Sequence, residues 1–287
     1  MRQAVIPVLS VVASLILIWY GAAVGLNSAW AYNKAERAKV ELTFSDLLKD
    51  TLSQEKPRLP APHQVAIETW KTTIQKKITS KRSLVYHGWI TLSSTLLGFA
   101  IGTSMGVLLA VGIVHNRAMA MSVMPWAIAS QTIPILAIAP MIIVVLNSIG
   151  VQGLLPKAII SAYLSFFPVV VGMVKGLRST DLMKLDLLKT YNATRLETFW
   201  KLRLPASMPY LFASLKIGIA ASLVGAIVGE LPTGAVQGLG ARLLAGSYYG
   251  QTIQIWSALL IAAVLASLLV ALINIVQKIT LKRMGMS

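Results

Sequence analysis

A lone carboxylate inside an apolar stretch is the most chemically consequential residue of this sequence. Of ten acidic residues, six fall between 27 and 87 and three between 175 and 203, which leaves Glu230 alone in an apolar segment. A carboxylate there is costly against lipid, so it faces protein or water and marks a pathway or a gate by default. The alternative is structural: an interfacial glutamate reaching outward, or one paired with Arg242 or Lys216. Acid–base catalysis would need a second group within hydrogen-bond reach, and no apolar segment supplies one. His63, His87 and His115 stand far apart without ligand spacing, and the chain has no cysteine, so thiolate metal sites, disulfides and cysteine nucleophiles are excluded. No glycine-rich loop ends in Gly-Lys-Ser/Thr, so ATP and magnesium are expected on another chain and no cofactor on this one.

Other residues that could touch a polar solute lie around proline and glycine. Gln131, Pro134 and Pro140 occupy one proline-dense stretch that also holds Pro125. Tyr248 and Tyr249 sit in a glycine-rich turn with Gly234, Gly238, Gly240, Gly246 and Gly250. Interrupted helices in membranes are tolerated where they pack on protein or line a cavity. These residues are therefore candidates for a translocation path, with bundle kinks and interfacial tyrosines as the structural alternatives.

The elements that must position them are membrane spans. The chain is 56% hydrophobic and 13% charged over 287 residues, too apolar for a water-soluble domain. Six apolar segments emerge, at residues 4–26, 88–114, 121–146, 153–176, 207–231 and 252–276, each near the ~20 residues that a spanning helix requires. The first follows a single Arg but has no small-residue cleavage site, so it is read as a retained helix. Hydrocarbon offers no hydrogen-bond partners, and strand-length alternation is absent, so the fold class is all-α integral membrane with six transmembrane helices in one domain, 1–287.

Net charge is +16, yet the basic residues cluster in the connections, which argues against a nucleic-acid-binding face. Lys175, Arg178, Lys184, Lys189, Arg195, Lys201 and Arg203 outnumber the acidic residues in the loop after the fourth span, which marks that loop, 177–206, as cytoplasmic. Both chain ends are then cytoplasmic and the 27–87 segment external. That segment carries eleven basic and six acidic residues, but loops of about 60 residues translocate largely regardless of charge. Residues 29–52 and 65–82 have helix-forming composition and are separated by Lys56-Pro57-Arg58-Leu59-Pro60-Ala61-Pro62, which no helix can continue through. Two amphipathic surface helices are expected there, as scaffold or as docking surface.

The 182–212 stretch is too amphipathic for a plain connector. Leu185, Leu188, Leu196, Phe199, Trp200 and Leu202 can form an apolar face on two short helices, with Asn192 between them as a residue that accepts left-handed geometry. This segment resembles the signature loop of binding-protein-dependent ABC permeases: an acidic residue, two small ones, then glycine, then hydrophobic-x-Leu-Pro. In that register Asp186 takes the acidic position, Asn192 the glycine and Leu202 the hydrophobic one before Leu204-Pro205, while Leu187 and Leu188 replace the small pair. Thr132-Ile133-Pro134 with Ala139-Pro140, Leu59-Pro60-Ala61-Pro62, and Gly229-Glu230-Leu231 followed by Gly238-Leu239-Gly240 are similar to the nitrate/sulfonate/taurine branch. The resemblance implies a coupling helix, with Asp186, Lys189, Asn192, Ala193, Arg195, Leu202, Leu204 and Pro205 contacting a partner ATPase. It further implies two ATP-binding subunits, a second permease chain, an extracytoplasmic solute-binding protein and a bacterial inner membrane. The implied cargo is a small oxyanion, sulfonate or heterocycle, with a lean toward a polar organic solute. A stand-alone secondary transporter or channel is the alternative, but one embedded carboxylate is few for ion coupling.

Overall fold

The computed structural model describes residues 2–231 and 237–285, and every described regular element is a helix. Five described helical stretches are long and apolar enough to cross a membrane: Ile6–Ala38, Leu84–His115, Leu154–Arg178, Arg195–Gly229 and Thr252–Arg283. A sixth crossing exists only if the pair Arg117–Ser130 and Ile135–Ser148, bent by 100°, counts as one. The proline-dense third segment is thus interrupted, as two half-length helices. Pro134 explains the break, because it offers no N–H to the preceding turn and disfavours helical geometry in Ile133. Pro125 and Pro140 lie inside the two halves.

The described chain divides into two compact units, Met1–His87 with Ala241–Ala262, and Gly88–Gly240 with Ala263–Ser287. In the first, α1 (Arg2–Ala38) runs well beyond the apolar segment that begins it, then α2 (Phe44–Ser53) and α3 (Pro62–Trp70) follow. The helix expected over 29–52 is thus split: its opening stretch, 29–38, continues α1, and Lys39 takes a left-handed φ of 54°. Val40 and Thr43 then fall in the break, where β-branched side chains keep more χ1 freedom than in a helix. The helix expected over 65–82 ends early as well, in a π-helical turn at Lys71–Gln75.

The proline-rich linker leaves carbonyls with no helical partner, and side chains of this unit satisfy them. Trp19 Nε1 donates to Pro60 O at 3.0 Å, Thr252 Oγ1 to Pro57 O at 2.6 Å and Asn27 Nδ2 to Leu59 O at 2.9 Å. Asn27 is fully buried, and its Oδ1 also accepts from the backbone N–H of Arg58 and Leu59. One asparagine thereby supplies donors and acceptors to a segment that cannot make its own ladder.

The second unit is built on close backbone approach. Most of α4 (Leu84–His115) lies in it, with α5 (Arg117–Ser130), α6 (Ile135–Ser148) and α7 (Leu154–Arg178). Gly98, Gly102 and Gly106 recur every four residues on one face of α4. A Cβ on any of them would come within 3.0 Å of α7 atoms, at Ser161, Ser165 and Val169 respectively. Then come α8 (Leu182–Thr190), α9 (Arg195–Thr198) and α10 (Leu204–Gly229). α10 packs antiparallel on α7 through the same device, Gly172 and Gly176 against Ser214 and Ser207, and Gly225 against Ser161. Small residues let spans approach where lipid supplies no hydrophobic drive. Ser161 and Ser222 hydroxyls meet at 2.5 Å, and Ser222 donates to Thr95 O at 2.8 Å, joining α7, α10 and α4.

Like α4, the last two helices have residues in both units, α11 (Leu239–Tyr248) and α12 (Thr252–Arg283). The flexible external turn expected around Gly238–Gly250 is mostly helix, because Leu239-Gly-Ala-Arg-Leu-Leu-Ala carries good helix formers between its glycines. Gly234, with Pro232 and Thr233, lies outside the described residues.

Candidate functional site

The loop between α7 and α10 is built from local capping. Asp181 Oδ1 accepts from Met183 N–H at 3.0 Å and starts α8. Asn192 stops it, with φ 54°, the left-handed geometry its side-chain type suggested. Ala193 N–H returns to Leu188 O and Asn192 N–H to Lys189 O, both at 2.9 Å, which is the Schellman pattern with asparagine in the usual glycine place. Two residues later Thr194 and Glu197 form a capping box, N–H to Oε2 at 2.9 Å and N–H to Oγ1 at 3.2 Å. The Thr194 N–H and hydroxyl, then Lys201, hold the Glu197 carboxyl below the usual carboxylate range.

From α9 the chain enters α10 through a π-helical turn, Phe199–Arg203, in which Leu204 N–H reaches back to Phe199 O. Pro205 sits in the first turn of α10. In a regular helix its ring would press on the Lys201 carbonyl four residues back; the widened turn gives that carbonyl room. The Leu204-Pro205 pair therefore fixes where the loop becomes a span.

Burial divides the loop's apolar residues differently from the expected face. Leu185, Leu188, Phe199 and Leu202 are half-buried, and Phe199 and Leu204 pack on a core formed by Ala110, Ile113 and Met173 among others. Leu196 and Trp200, expected on that face, are 68% and 59% exposed. Leu182, Met183, Leu187 and Tyr191 are also exposed, at 75%, 78%, 55% and 77%. The loop thus presents six large apolar side chains outward. Asp186 pairs with Lys189 at 2.8 Å on the exposed side. Beside α8 a cavity of about 580 Å³ is lined by His115, Asp186, Lys189, Ala193, Arg195 and Arg203, among others. Four of the eight coupling candidates, Asp186, Lys189, Ala193 and Arg195, meet at this cavity; Asn192 shapes the turn, and Leu202, Leu204 and Pro205 anchor its far end.

The translocation candidates separate into three places. Gln131, Pro134 and Pro140 are exposed at and beyond the α5–α6 break, and Tyr248 and Tyr249 are exposed at the end of α11. Glu230 is fully buried at the end of α10. Thr91 Oγ1 donates to its carboxylate, at 2.9 Å from both oxygens, and Gly240 N–H donates to Oε2 at 2.9 Å. Leu239 N–H in turn donates to Thr91 Oγ1 at 2.9 Å. Gly238, at φ 119°, lies so close that a Cβ would fall 2.1 Å from the Glu230 Cδ. Neither suggested partner holds Glu230: Lys216 donates to Asn274 and Arg242 to Gln254. The carboxylate instead ties the returning Gly238-Leu239-Gly240 chain to α4. Thr91 was not legible as its partner, since one hydroxyl among the Ser and Thr of α4 carries no distinguishing pattern.

Among the described residues an all-helical set of membrane-length spans leads, through a capped and outward-apolar loop, into a Leu-Pro helix start, an arrangement that suits a permease of the ABC importer type. The chain belongs to the family described as binding-protein-dependent transport system inner membrane component, whose model matches residues 102–286. It is similar to a probable ABC transporter permease protein of Haemophilus influenzae, 32% identical over 65% of this chain and 74% of the relative. It is also similar to the formylaminopyrimidine transport permease protein ThiX of Halalkalibacterium halodurans, 32% identical over 63% and 68%. A third relative is the riboflavin transport system permease protein RibX of Chloroflexus aurantiacus, 29% identical over 78% and 80%. The chain is thus a multi-pass inner-membrane permease subunit of an ATP-driven importer.

Proposed function

We propose that this chain forms half of the path for a small polar heterocycle, delivered by an extracytoplasmic binding protein, and that the 177–206 loop is its contact with an ATP-binding subunit. The observation that carries the reading is the outward patch on α8 and its neighbours: Leu182, Met183, Leu187, Tyr191, Leu196 and Trp200 exposed on a tightly capped loop. Exposed apolar side chains on a preorganised segment suit a protein partner. The loop and both chain ends are cytoplasmic in this reading, the 27–87 segment is external, and two such chains with two ATPase subunits make the importer. Closure of the ATPases moves the loops together and opens the path outward.

The solute class rests on the pyrimidine and riboflavin permeases among the relatives. Because the chain lacks cysteine, Leu187→Cys provides a single thiol on the patch. A short maleimide–succinimidyl ester cross-linker is expected to join this thiol to a lysine of the ATP-binding subunit in the native membrane. Failure to cross-link in a complex that still hydrolyses ATP in response to loaded binding protein would place the ATPase elsewhere on the chain.

A further inference from the structure

Lys216 is a cation in the middle of the α10 span, and among the described residues no carboxylate pairs with it. It stands 12 residues after Leu204 and 13 before Gly229, so its backbone is roughly 18–20 Å from either end of α10. A lysine stem is too short to reach an interface from that depth. Its partner instead is Asn274 of α12, whose Oδ1 accepts from Nζ at 2.8 Å. Asn274 lies nine residues before Arg283, about 14 Å from that helix end and two residues inside the 252–276 apolar segment, so the pair joins the middle of α10 to the inner part of the α12 span near its C-terminal end.

Two features turn this pair into a site. An ammonium has three donors, and among the described residues only Asn274 accepts from Nζ. Glu230, the one acidic residue of the spans, is 14 residues further along the same helix, about 21 Å away. In front of the pair lies an open groove of about 580 Å³ whose other lining residues are Ala266, Ser267, Val270 and Ala271, all on α12. The face of α10 that meets α7 carries Ser214; Lys216, two residues on, points about 200° away from it. The cation therefore faces the groove and not the glycine–serine core.

We infer that this groove is a station for the transported solute, and that it takes a molecule presenting a carbonyl or anionic oxygen to Lys216. This rests on the reading of the chain as path-forming. A cation held within a span with no counter-ion among the described residues is stabilised when an acceptor arrives, and the alanine and serine of the wall leave room for a flat molecule beside it. Asn274 keeps the ammonium pointed into the groove between visits, and one acceptor in place of a carboxylate leaves the solute free to depart.

The absence of cysteine makes the test clean. The complete importer, with its ATPase and binding protein, is reconstituted carrying Ser267→Cys, which keeps Lys216 in place. The thiol is probed with an anionic and a cationic membrane-impermeant methanethiosulfonate, without nucleotide and after trapping with ATP and vanadate. The anionic reagent is expected to react about tenfold faster than the cationic one, and reactivity should change between the two states. In Ser267→Cys with Lys216→Met the preference should fall to about unity. The ratio of the two rates removes any general effect of Lys216 on thiol ionisation. No reaction in either state would mean that the groove faces lipid. A disulfide between two copies under oxidant would mean that a second permease covers it, and reaction without charge preference would remove Lys216 from the site. Each of these overturns the inference. ATP-driven uptake by the parent protein reports separately on the importer reading.

Discussion

Gly238→Ala tests whether Glu230 is a fastener of the chain. A methyl group at 238 would lie 2.1 Å from Cδ and 2.3 and 2.4 Å from the two carboxylate oxygens of Glu230, so the whole carboxyl group must leave its cradle. It would give up the Thr91 and Gly240 hydrogen bonds, and buried groups left unpaired cost about 1–3 kcal/mol each. The φ of 119° at residue 238 adds roughly 1–3 kcal/mol for a side-chain-bearing residue. The total, about 3–9 kcal/mol, is comparable to the whole stability of a typical domain, about 5–15 kcal/mol. Gly150→Ala is the control, because φ is 81° there with nothing within 4 Å of the added methyl; it reports backbone strain alone. Thermal unfolding of the importer in detergent should show a small loss for Gly150→Ala and a large one for Gly238→Ala. Glu230→Ala combined with Gly238→Ala should be less damaged than additivity allows, since the overlapping group is gone. If Gly238→Ala behaves like Gly150→Ala, or Glu230→Ala gives no relief, the cradle does not fasten the chain.

Other perturbations read other parts of the structure. Asn192→Gly should keep the loop and add up to about 1 kcal/mol of stability, while Asn192→Val should cost about 1–2 kcal/mol at φ 54° and lower solute-stimulated ATPase activity; unfolding curves and ATPase assays check both. Gly102→Leu should prevent assembly, because even its Cβ would sit 2.2 Å from Ser165 Oγ and 2.8 Å from Ala162 O; membrane-fraction yield and size exclusion report it. Ser222→Ala should cost about 0.6 kcal/mol, the average for hydrogen bonds between spans, and at most about 1.7 kcal/mol, by denaturation in mixed micelles. The hydrogen bond from Lys34 holds the Asp50 carboxyl below its ordinary 3.8. Its small contribution is therefore complete above pH 3.8 and lost as pH falls through the lower folded value, and Lys34→Met should flatten that acid loss in a pH-dependent unfolding series.

Much of the architecture was readable because hydropathy and capping act locally. The starts and stops of α4, α7, α10 and α12 fall within a few residues of the apolar segments, except that α12 runs on to Arg283 because nothing in 277–283 breaks a helix. Asn192 was readable since few residues tolerate left-handed geometry. Pro134 was visible, but the 100° bend was not, because a proline states where a ladder breaks and not how far the halves swing. The Thr91–Glu230 bond joins residues 139 apart, and the Lys216–Asn274 pair joins residues 58 apart. Such pairings depend on which helix faces meet, and that is decided by glycine and serine contacts with no directional code in one sequence. The outward set Leu182, Met183, Leu187 and Tyr191 was missed for a related reason. Amphipathic counting assumes that apolar faces turn inward, whereas a docking surface turns some of them out.

The central claim, that the 177–206 loop holds the ATP-binding subunit, is tested most directly by removing the outward patch without touching the caps. Leu182→Ser, Met183→Ser and Leu187→Ser together leave Asp181, Asn192 and the Thr194–Glu197 box intact. Co-purification of the ATP-binding subunit with the tagged permease, quantified by mass spectrometry, is then compared with the parent chain. The account predicts a normally inserted permease that has lost its ATPase and its ATP-driven uptake. A triple variant that retains both would contradict it.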